Sequence, residues 1–580
     1  MNYKLLPSDK NLSIIERILT NRNISLLDIE HYLNTSEKDV LNPLLLDNLK
    51  EGAKMLVKHL SLNNKIHITV DPDVDGFTSS ALLINYLYKI APSFVLNNIY
   101  YSLHEDKAHG ILYEEIPTDV KMIIAPDCSS NEFELHAELA NKGFDILVLD
   151  HHEADHVSND ACVINNQLCD YPTKSLSGVG IVYKFCSYLD ELLNSNYANE
   201  MRDIVSLGLI SDMMPLTDFE TRFLVDEGLK DINNSFFAAM VNKNSYSLKN
   251  GLNPMGIAFY ITPYINAVVR SGTLEEKTLV FEAMLEHKGN ELIPSTKRGY
   301  KGQTETRVEQ AVRTCVNCKK RQTEARDNNT KIIENIIQSK NLLDNKVLIV
   351  PLEDVSINRN LVGLIANQLM AEYQRPVLLL NECIDDMGNV TYEGSARGYE
   401  KSELKNFKDF LENSKLTMYQ EGHQSAFGVG VTKENLQKLI KYCNEELKNI
   451  DFSPCYNVDF IYDNKTLNEK DILQIAELKD IWGQGVDECL IAIENITLSS
   501  KDISIMSANK NPTLKFAGKD NISMIKFKSS TEEYENLLNQ GEYLVMNFVG
   551  KCAKNEWMGN TSAQILIEEY EIVKTLKYYF

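Results

Sequence analysis

Met122-Ile123-Ile124-Ala125 and Ile146-Leu147-Val148-Leu149 are unbroken apolar runs of strand length. A strand with one wet face alternates. A strand buried on both faces does not, and such strands belong almost entirely to parallel sheets covered by helices. Ile66, Ile68 and Val70 supply a third strand by alternation, followed by the helix-like Thr78–Ile84. Residues 61–235 therefore predict an α/β domain. Each strand runs into acid or histidine: Asp71-Pro72-Asp73-Val74-Asp75-Gly76, Pro126-Asp127-Cys128-Ser129-Ser130 and Asp150-His151-His152-Glu153. Asp212 breaks the apolar element Ser206–Leu216, which is read as a fourth strand end.

Open α/β sheets bind ligands outside the carboxyl ends of their strands. Carboxylates crowded there repel one another unless a cation lies between them. Oxygen donors with imidazole suit Mg²⁺ or Mn²⁺. Asp73, Asp75, Asp127, His151 and Asp212 come from four segments, enough for two divalent ions sharing a bridging carboxylate. Such a pair suits in-line displacement at phosphorus, one ion activating water and the other stabilising the leaving oxygen. An Asp after a strand is, taken singly, a helix N-cap or turn residue. A His pair, taken singly, is a surface or core pair. The joint pattern is what points to a metal site.

The net charge of −23 and pI of about 5.0 argue against a general nucleic-acid coat and leave room for a local basic groove. At 580 residues the chain exceeds a single core. Residues 1–60 read as helical, with Ser13-Ile14-Ile15-Glu16 as a capping box. Residues 236–340 read as a helical connector. Its basic stretch 297–326 is equally a solvated helix face or a contact to a nucleic-acid backbone. Cys315-Val316-Asn317-Cys318 has no second pair nearby and is not read as zinc. Residues 341–450 form a second α/β domain with two glycine-flanked sites, Gly394-Ser395-Ala396-Arg397-Gly398 and Gly422-His423-Gln424-Ser425-Ala426-Phe427-Gly428. Glycine lets backbone approach a ligand, and Arg or His beside it can bind phosphate. Residues 451–580 change to short strands, as in a small β-barrel. Trp557, Phe527, Lys526 and Lys528 are its candidates for stacking bases and tracking phosphates, although core packing is the commoner role for Trp482 and Trp557. Met1–Lys10 has no long apolar core, so no signal peptide is expected. No apolar run reaches the roughly 18 residues of a membrane span, and the 11 scattered cysteines read as reduced thiols of a cytoplasmic protein.

Asp73-Val74-Asp75-Gly76, Asp127-Cys128-Ser129, Asp150-His151-His152 and Ser211-Asp212 resemble the four motifs of the DHH phosphoesterases. Within that superfamily the resemblance is to the RecJ-like single-strand-specific exonucleases. Thr221–Val225 with Gly228-Leu229, Pro263–Arg270, and the sites around Ser395 and His423 are similar to further family segments. The resemblance covers nearly the whole chain. It implies DHH (61–235) and DHH-associated (341–450) domains flanking a cleft, N-terminal helices and a C-terminal OB-fold. It implies a 5′→3′ exonuclease that hydrolyses single-stranded DNA to 5′-mononucleotides in recombination or repair. A single-strand-binding protein or helicase is the expected protein partner. It further implies two Mn²⁺ or Mg²⁺ ions on Asp73, Asp75, Asp127, His151 and Asp212, with Asp127 as the bridge. Asp71 and Asp150 would orient these ligands or be weaker ligands themselves, and His152 would face the scissile phosphate. Arg270, Ser395, Arg397 and His423 would hold substrate phosphates. Three positions depart from the family pattern: His104 stands in place of an Arg, Glu421 in place of a Gly, and Gly398 in place of a Ser. The alternatives are a DHH phosphodiesterase acting on short oligoribonucleotides or cyclic dinucleotides, and a non-enzymatic single-strand-binding scaffold.

Overall fold

The computed structural model describes every residue except 106, 107, 250, 354, 356, 385–387, 520, 521, 558 and 577–580, together with all but the side chain of Trp557. The chain forms two compact units, both discontinuous. One comprises Ile15–Lys320 with Glu477–Glu488; the other comprises Met1–Ile14, Arg321–Ala476 and Cys489–Phe580.

The unit beginning at Ile15 is built on five strands: β1 (Lys65–Val70), β2 (Ile99–Leu103), β3 (Val120–Pro126), β4 (Asp145–Asp150) and β5 (Cys162–Asn165). Their order is β2-β1-β3-β4-β5 and every pair is parallel. β3 and β4 are buried on both faces, as their unbroken apolar runs require. The order turns back at β1, so the crevice of a doubly wound sheet lies between the ends of β1 and β3. Helices α1 (Val74–Ile90), α2 (Gly178–Leu193), α3 (Arg202–Ser211) and α4 (Phe219–Gly228) pack around it. The expectation of a fourth strand end at Asp212 is wrong. Ser206–Ser211 is the last part of α3, and Asp212 is its C-cap. A short apolar run does not separate a buried strand from a buried helix.

Lys184 of α2, fully buried, pairs with Glu220 of α4. The same carboxylate accepts from Tyr171 Oη at 2.9 Å and from Leu41 N at 2.9 Å. Stranding a buried charge is expensive, so Lys184→Met should lower the unfolding free energy by about 3–5 kcal/mol. Urea denaturation reads this directly, and an unchanged midpoint would mean that the pair contributes nothing.

Helices α5 (Pro254–Tyr260) and α6 (Thr262–Ser271) follow. A hairpin of Leu292–Pro294 and Thr304–Thr306 then precedes α7 (Arg307–Ser339), which carries the chain into the other unit. The basic stretch is not one helix face. Lys297, Arg298 and Lys301 sit exposed in the hairpin loop. Arg307 pairs with Glu282 and Glu291, and Arg313 with Glu305. Cys315 and Cys318 are buried on α7, with Cys318 Sγ 3.1 Å from Ala267 O.

In the other unit, β6 (Leu348–Leu352), β7 (Val377–Ile384), β8 (Val390–Arg397), β9 (Tyr419–His423) and β10 (Ala426–Thr432) form a sheet of order β9-β10-β8-β7-β6. Helix α8 (Arg359–Tyr373) packs on it. A second sheet of seven strands lies within residues 460–576, the longest being Tyr543–Trp557 and Asn560–Leu576. The first residues are not helical. Asn2–Leu5 is a strand paired in parallel with Cys455–Val458, a long-range partner that no local pattern reveals. Trp482 is buried in the segment that returns to the parallel-sheet unit, where Leu216 N donates to Gln484 O at 2.8 Å. Among the described residues no helix is long and apolar enough to cross a membrane.

Candidate metal centre

Asp71, Asp73 and Asp75 follow β1. Asp73 caps α1, its Oδ1 accepting from Gly76 N at 2.8 Å. A Cβ at position 76 would lie 2.6 Å from Asp71 O, so the turn requires glycine. Asp75, in the first turn of α1, is 1% exposed. Its Oδ1 accepts from Ser177 Oγ at 3.0 Å and Val179 N at 3.3 Å, while its buried Oδ2 has no hydrogen-bond partner. Asp127 follows β3 with a left-handed φ of 63°. Its N donates to Leu149 O at 2.8 Å, and its Oδ1 is likewise buried without a hydrogen bond.

His151 lies at the end of β4 and reaches back toward both sides. Its Nε2 is 3.3 Å from Asp127 Oδ1 and 3.4 Å from Asp212 Oδ2. Three sets of donor atoms each lie within 4.8 Å of one another: Asp127, His151 and His152; Asp75, His151 and Asp212; Asp71, Asp73 and Asp127. Asp127 and His151 are each common to two sets. Asp71, read from the sequence as an orienting group or weaker ligand, therefore stands among the ligand-competent carboxylates. Its Oδ2 is also 2.7 Å from His109 Nδ1.

Asp150 is different. Its Oδ1 accepts from His151 N at 2.7 Å and lies 2.7 Å from His152 Nδ1, and its Oδ2 accepts from Ser130 N at 3.0 Å. Burial opposes its charge, but His152 and these donors hold it below the usual carboxylate range. Asp150 thereby bonds the backbone N–H of His151 and the ring of His152. In return, its hydrogen bond pushes His152 up to about 9. Burial and the neighbouring His152 push His151 down to about 4, leaving it a neutral donor.

Burial and mutual repulsion push Asp75 up to about 7 and Asp212 up to about 8. Asp127 rises well above the usual range for the same reasons. Carboxylates that retain protons for lack of a counter-charge, with two oxygens left unpaired, fit hard divalent cations.

Two glycines make the space. A Cβ on Gly178, at the start of α2, would lie 2.3 Å from Asp127 Oδ1, and one on Gly208 of α3 would lie 2.6 Å from Asp75 Oδ1. Neither position was singled out from the sequence. Glu132 was missed as well. It accepts from Ile111 N at 3.0 Å and holds Ser129 Oγ, tying the loop after Asp127 to the His109–Gly110 segment. His104 is buried, its Nε2 2.9 Å from Gly110 O, and so serves that same loop.

The expected phosphate-binding residues fall in both units. Arg270 is exposed at the end of α6. In the other unit, Arg397, Ala426 and His423 lie in one cross-strand row, and Ser395, Gly428 and Glu421 in the next. Residues opposite one another, and two apart along a strand, share a face, so Ser395, Arg397 and His423 come together with Glu421 among them. Gly363 of α8 leaves room there, since its Cβ would lie 2.7 Å from Arg397 Nη2. Of the strand-tracking candidates in the C-terminal sheet, Phe527 is exposed. Lys526 is paired with Glu533 at 2.9 Å. The Trp557 side chain lies outside the described residues.

Residues 65–209 match the model of the DHH family, N-terminal domain, and residues 458–569 that of the RecJ OB domain. The chain is 39% identical, over 99% of both lengths, to YorK of the Bacillus subtilis SPbeta prophage, provisionally named a single-strand DNA-specific exonuclease. It is 24% identical to the single-stranded-DNA-specific exonuclease RecJ of Bacillus subtilis, over 93% of this chain and 65% of that protein. The crystal structure of RecJ from Thermus thermophilus in complex with Mn²⁺ superposes with a TM-score of 0.69, covering 99% of this chain and 80% of that one at 18% identity.

Proposed function

Since the chain belongs to the RecJ-like exonucleases of the DHH phosphoesterase superfamily, we propose that it removes nucleotides from the 5′ end of single-stranded DNA in a reaction requiring Mn²⁺ or Mg²⁺. It is a phosphodiester hydrolase. The observation that carries the metal dependence is the buried carboxylate–imidazole cluster with unpaired oxygens on Asp75 and Asp127. Asp73, Asp75, Asp127, His151 and Asp212 would hold two cations, with Asp71 contributing beside Asp73. When bound, such ions lower the pKa of water and withdraw charge from phosphoryl oxygens.

The chain's own groups do the rest. Asp150 fixes both histidines. His152, more than half exposed and held through Nδ1 by Asp150, offers its N–H to a phosphate oxygen. Arg270, Ser395, Arg397 and His423 bind strand phosphates. Water adds to phosphorus and the 3′ oxygen of the terminal nucleotide leaves, giving a 5′-mononucleotide and a strand shorter by one. Recombination or repair is the matching biological setting.

The test is an oligonucleotide labelled at either end, incubated with Mn²⁺ beside duplex and RNA controls. Mononucleotide release from the 5′ end of single-stranded DNA is the expected result. Degradation confined to very short RNA would replace this reading with an oligoribonuclease. Binding without cleavage would replace it with a scaffold.

A further inference from the structure

The turn that delivers Asp212 to the cluster also exposes an apolar side chain. Met213 follows with φ 58° and is 62% exposed. Left-handed backbone is uncommon for such a residue and tends to persist where function requires it. Here it is pinned, since Asp212 N donates to Gly208 O at 2.9 Å and Met214 N to Leu209 O at 3.0 Å. α5 brings up Phe259, which is 65% exposed. Met213 and Phe259 line one cavity of about 200 Å³ with Ile210, Met255 and the loop Gly483-Gln484. That loop is tightly seated, because a Cβ on Gly483 would lie 2.4 Å from Leu216 Cδ1.

We propose that this cavity takes a nucleobase of the strand being cut, with Phe259 and Met213 as its stacking faces. The proposal rests on the exonuclease reading. Three observations favour a base as occupant. The cavity shares the Ile210–Met213 turn with the metal-ligand cluster, so a strand whose phosphate lies at Asp212 passes it. Among the described lining residues the only charge is Asp487, which repels phosphate and tolerates an uncharged ring. Its volume is below the roughly 300–1,000 Å³ of pockets for whole small molecules, which suits one planar ring rather than a nucleotide. Aromatic and thioether faces stack on any base, as an enzyme that removes nucleotides in succession requires.

Single-turnover cleavage of strands carrying one abasic residue, moved through the positions nearest the 5′ end, tests this. One position should slow the wild-type protein about tenfold, within the range of one lost stacking contact. Phe259→Ser and Met213→Ser should slow the intact strand by a similar factor, and adding the abasic residue should then cost little more, because variant and abasic site remove the same contact. Phe259→Tyr should restore the preference. An abasic scan with no slow position overturns the proposal, as do variants that slow intact and abasic strands equally. If the wild-type protein cuts nothing, the exonuclease reading fails. Fluorescence anisotropy of the same strands then decides the cavity separately: a base-dependent affinity lost in Phe259→Ser supports it, and equal affinities overturn it.

Discussion

Asp127→Asn should reduce strand cleavage on the order of 10³-fold or more, the scale on which loss of one essential group acts, while strand binding persists. Asp127 belongs to two of the three donor sets and stands 3.3 Å from His151. Asparagine tolerates the left-handed backbone at 127 better than alanine does, so the loop keeps its course and one charged oxygen is lost. The same change should stabilise the metal-free protein. The folded pKa of Asp127 lies above its unfolded value, so its charge opposes folding at every pH above the unfolded value, and removing it removes that penalty. Mn²⁺ should raise the melting temperature of the wild-type protein by mass action and raise that of the variant much less. Cleavage within tenfold of wild type in Mn²⁺ would sink the assignment of Asp127 as a shared ligand.

Gly178→Ala should cost about 10²-fold or more in cleavage, the effect of displacing a reacting group by about 1 Å. The added methyl would meet Asp127 Oδ1 at 2.3 Å and Asp127 Cβ at 2.5 Å, distances that no Cβ occupies. The carboxylate has to move, because α2 is packed along its buried face. Alanine is otherwise a good helix former, so global stability should fall far less than activity. The discriminating result is a loss of the Mn²⁺-induced rise in melting temperature with far-ultraviolet circular dichroism unchanged. A variant with normal cleavage would show that the glycine is a packing residue with slack around it.

The parallel sheet and its acidic edge were legible because their signals are local. β3 and β4 announce themselves by runs without polar interruption, and the ligand candidates stand at the ends of those runs. Asp212 was legible as a carboxylate in an apolar element but not as a helix cap, since that run has no feature that separates the two conformations. Asp71 and Asp150 looked alike from the sequence. They differ by what surrounds them: Asp150 is occupied by the N–H groups of its own turn and of Ser130, whereas Asp71 meets His109 and Asp73. Gly178 and Gly208 were not legible at all, because a glycine required by a side chain from another segment carries no mark in its own neighbourhood. The basic stretch was legible as a cluster of charge but not in its placement: charges adjacent in sequence are divided between a hairpin loop and α7, where Arg307 and Arg313 are paired.

The pairing of Asn2–Leu5 with Cys455–Val458 also sets an order of events during synthesis. At about 5–20 residues per second, the ribosome releases the partner strand roughly 20–90 s after Asn2–Leu5 has emerged. For that interval the four-residue segment waits as a nascent strand with no edge to join. It is short and carries Lys4, two properties that discourage pairing with another chain. The unit that ends at Glu488 can be completed before the one that contains Asn2–Leu5, although that strand is made earlier than either unit is finished.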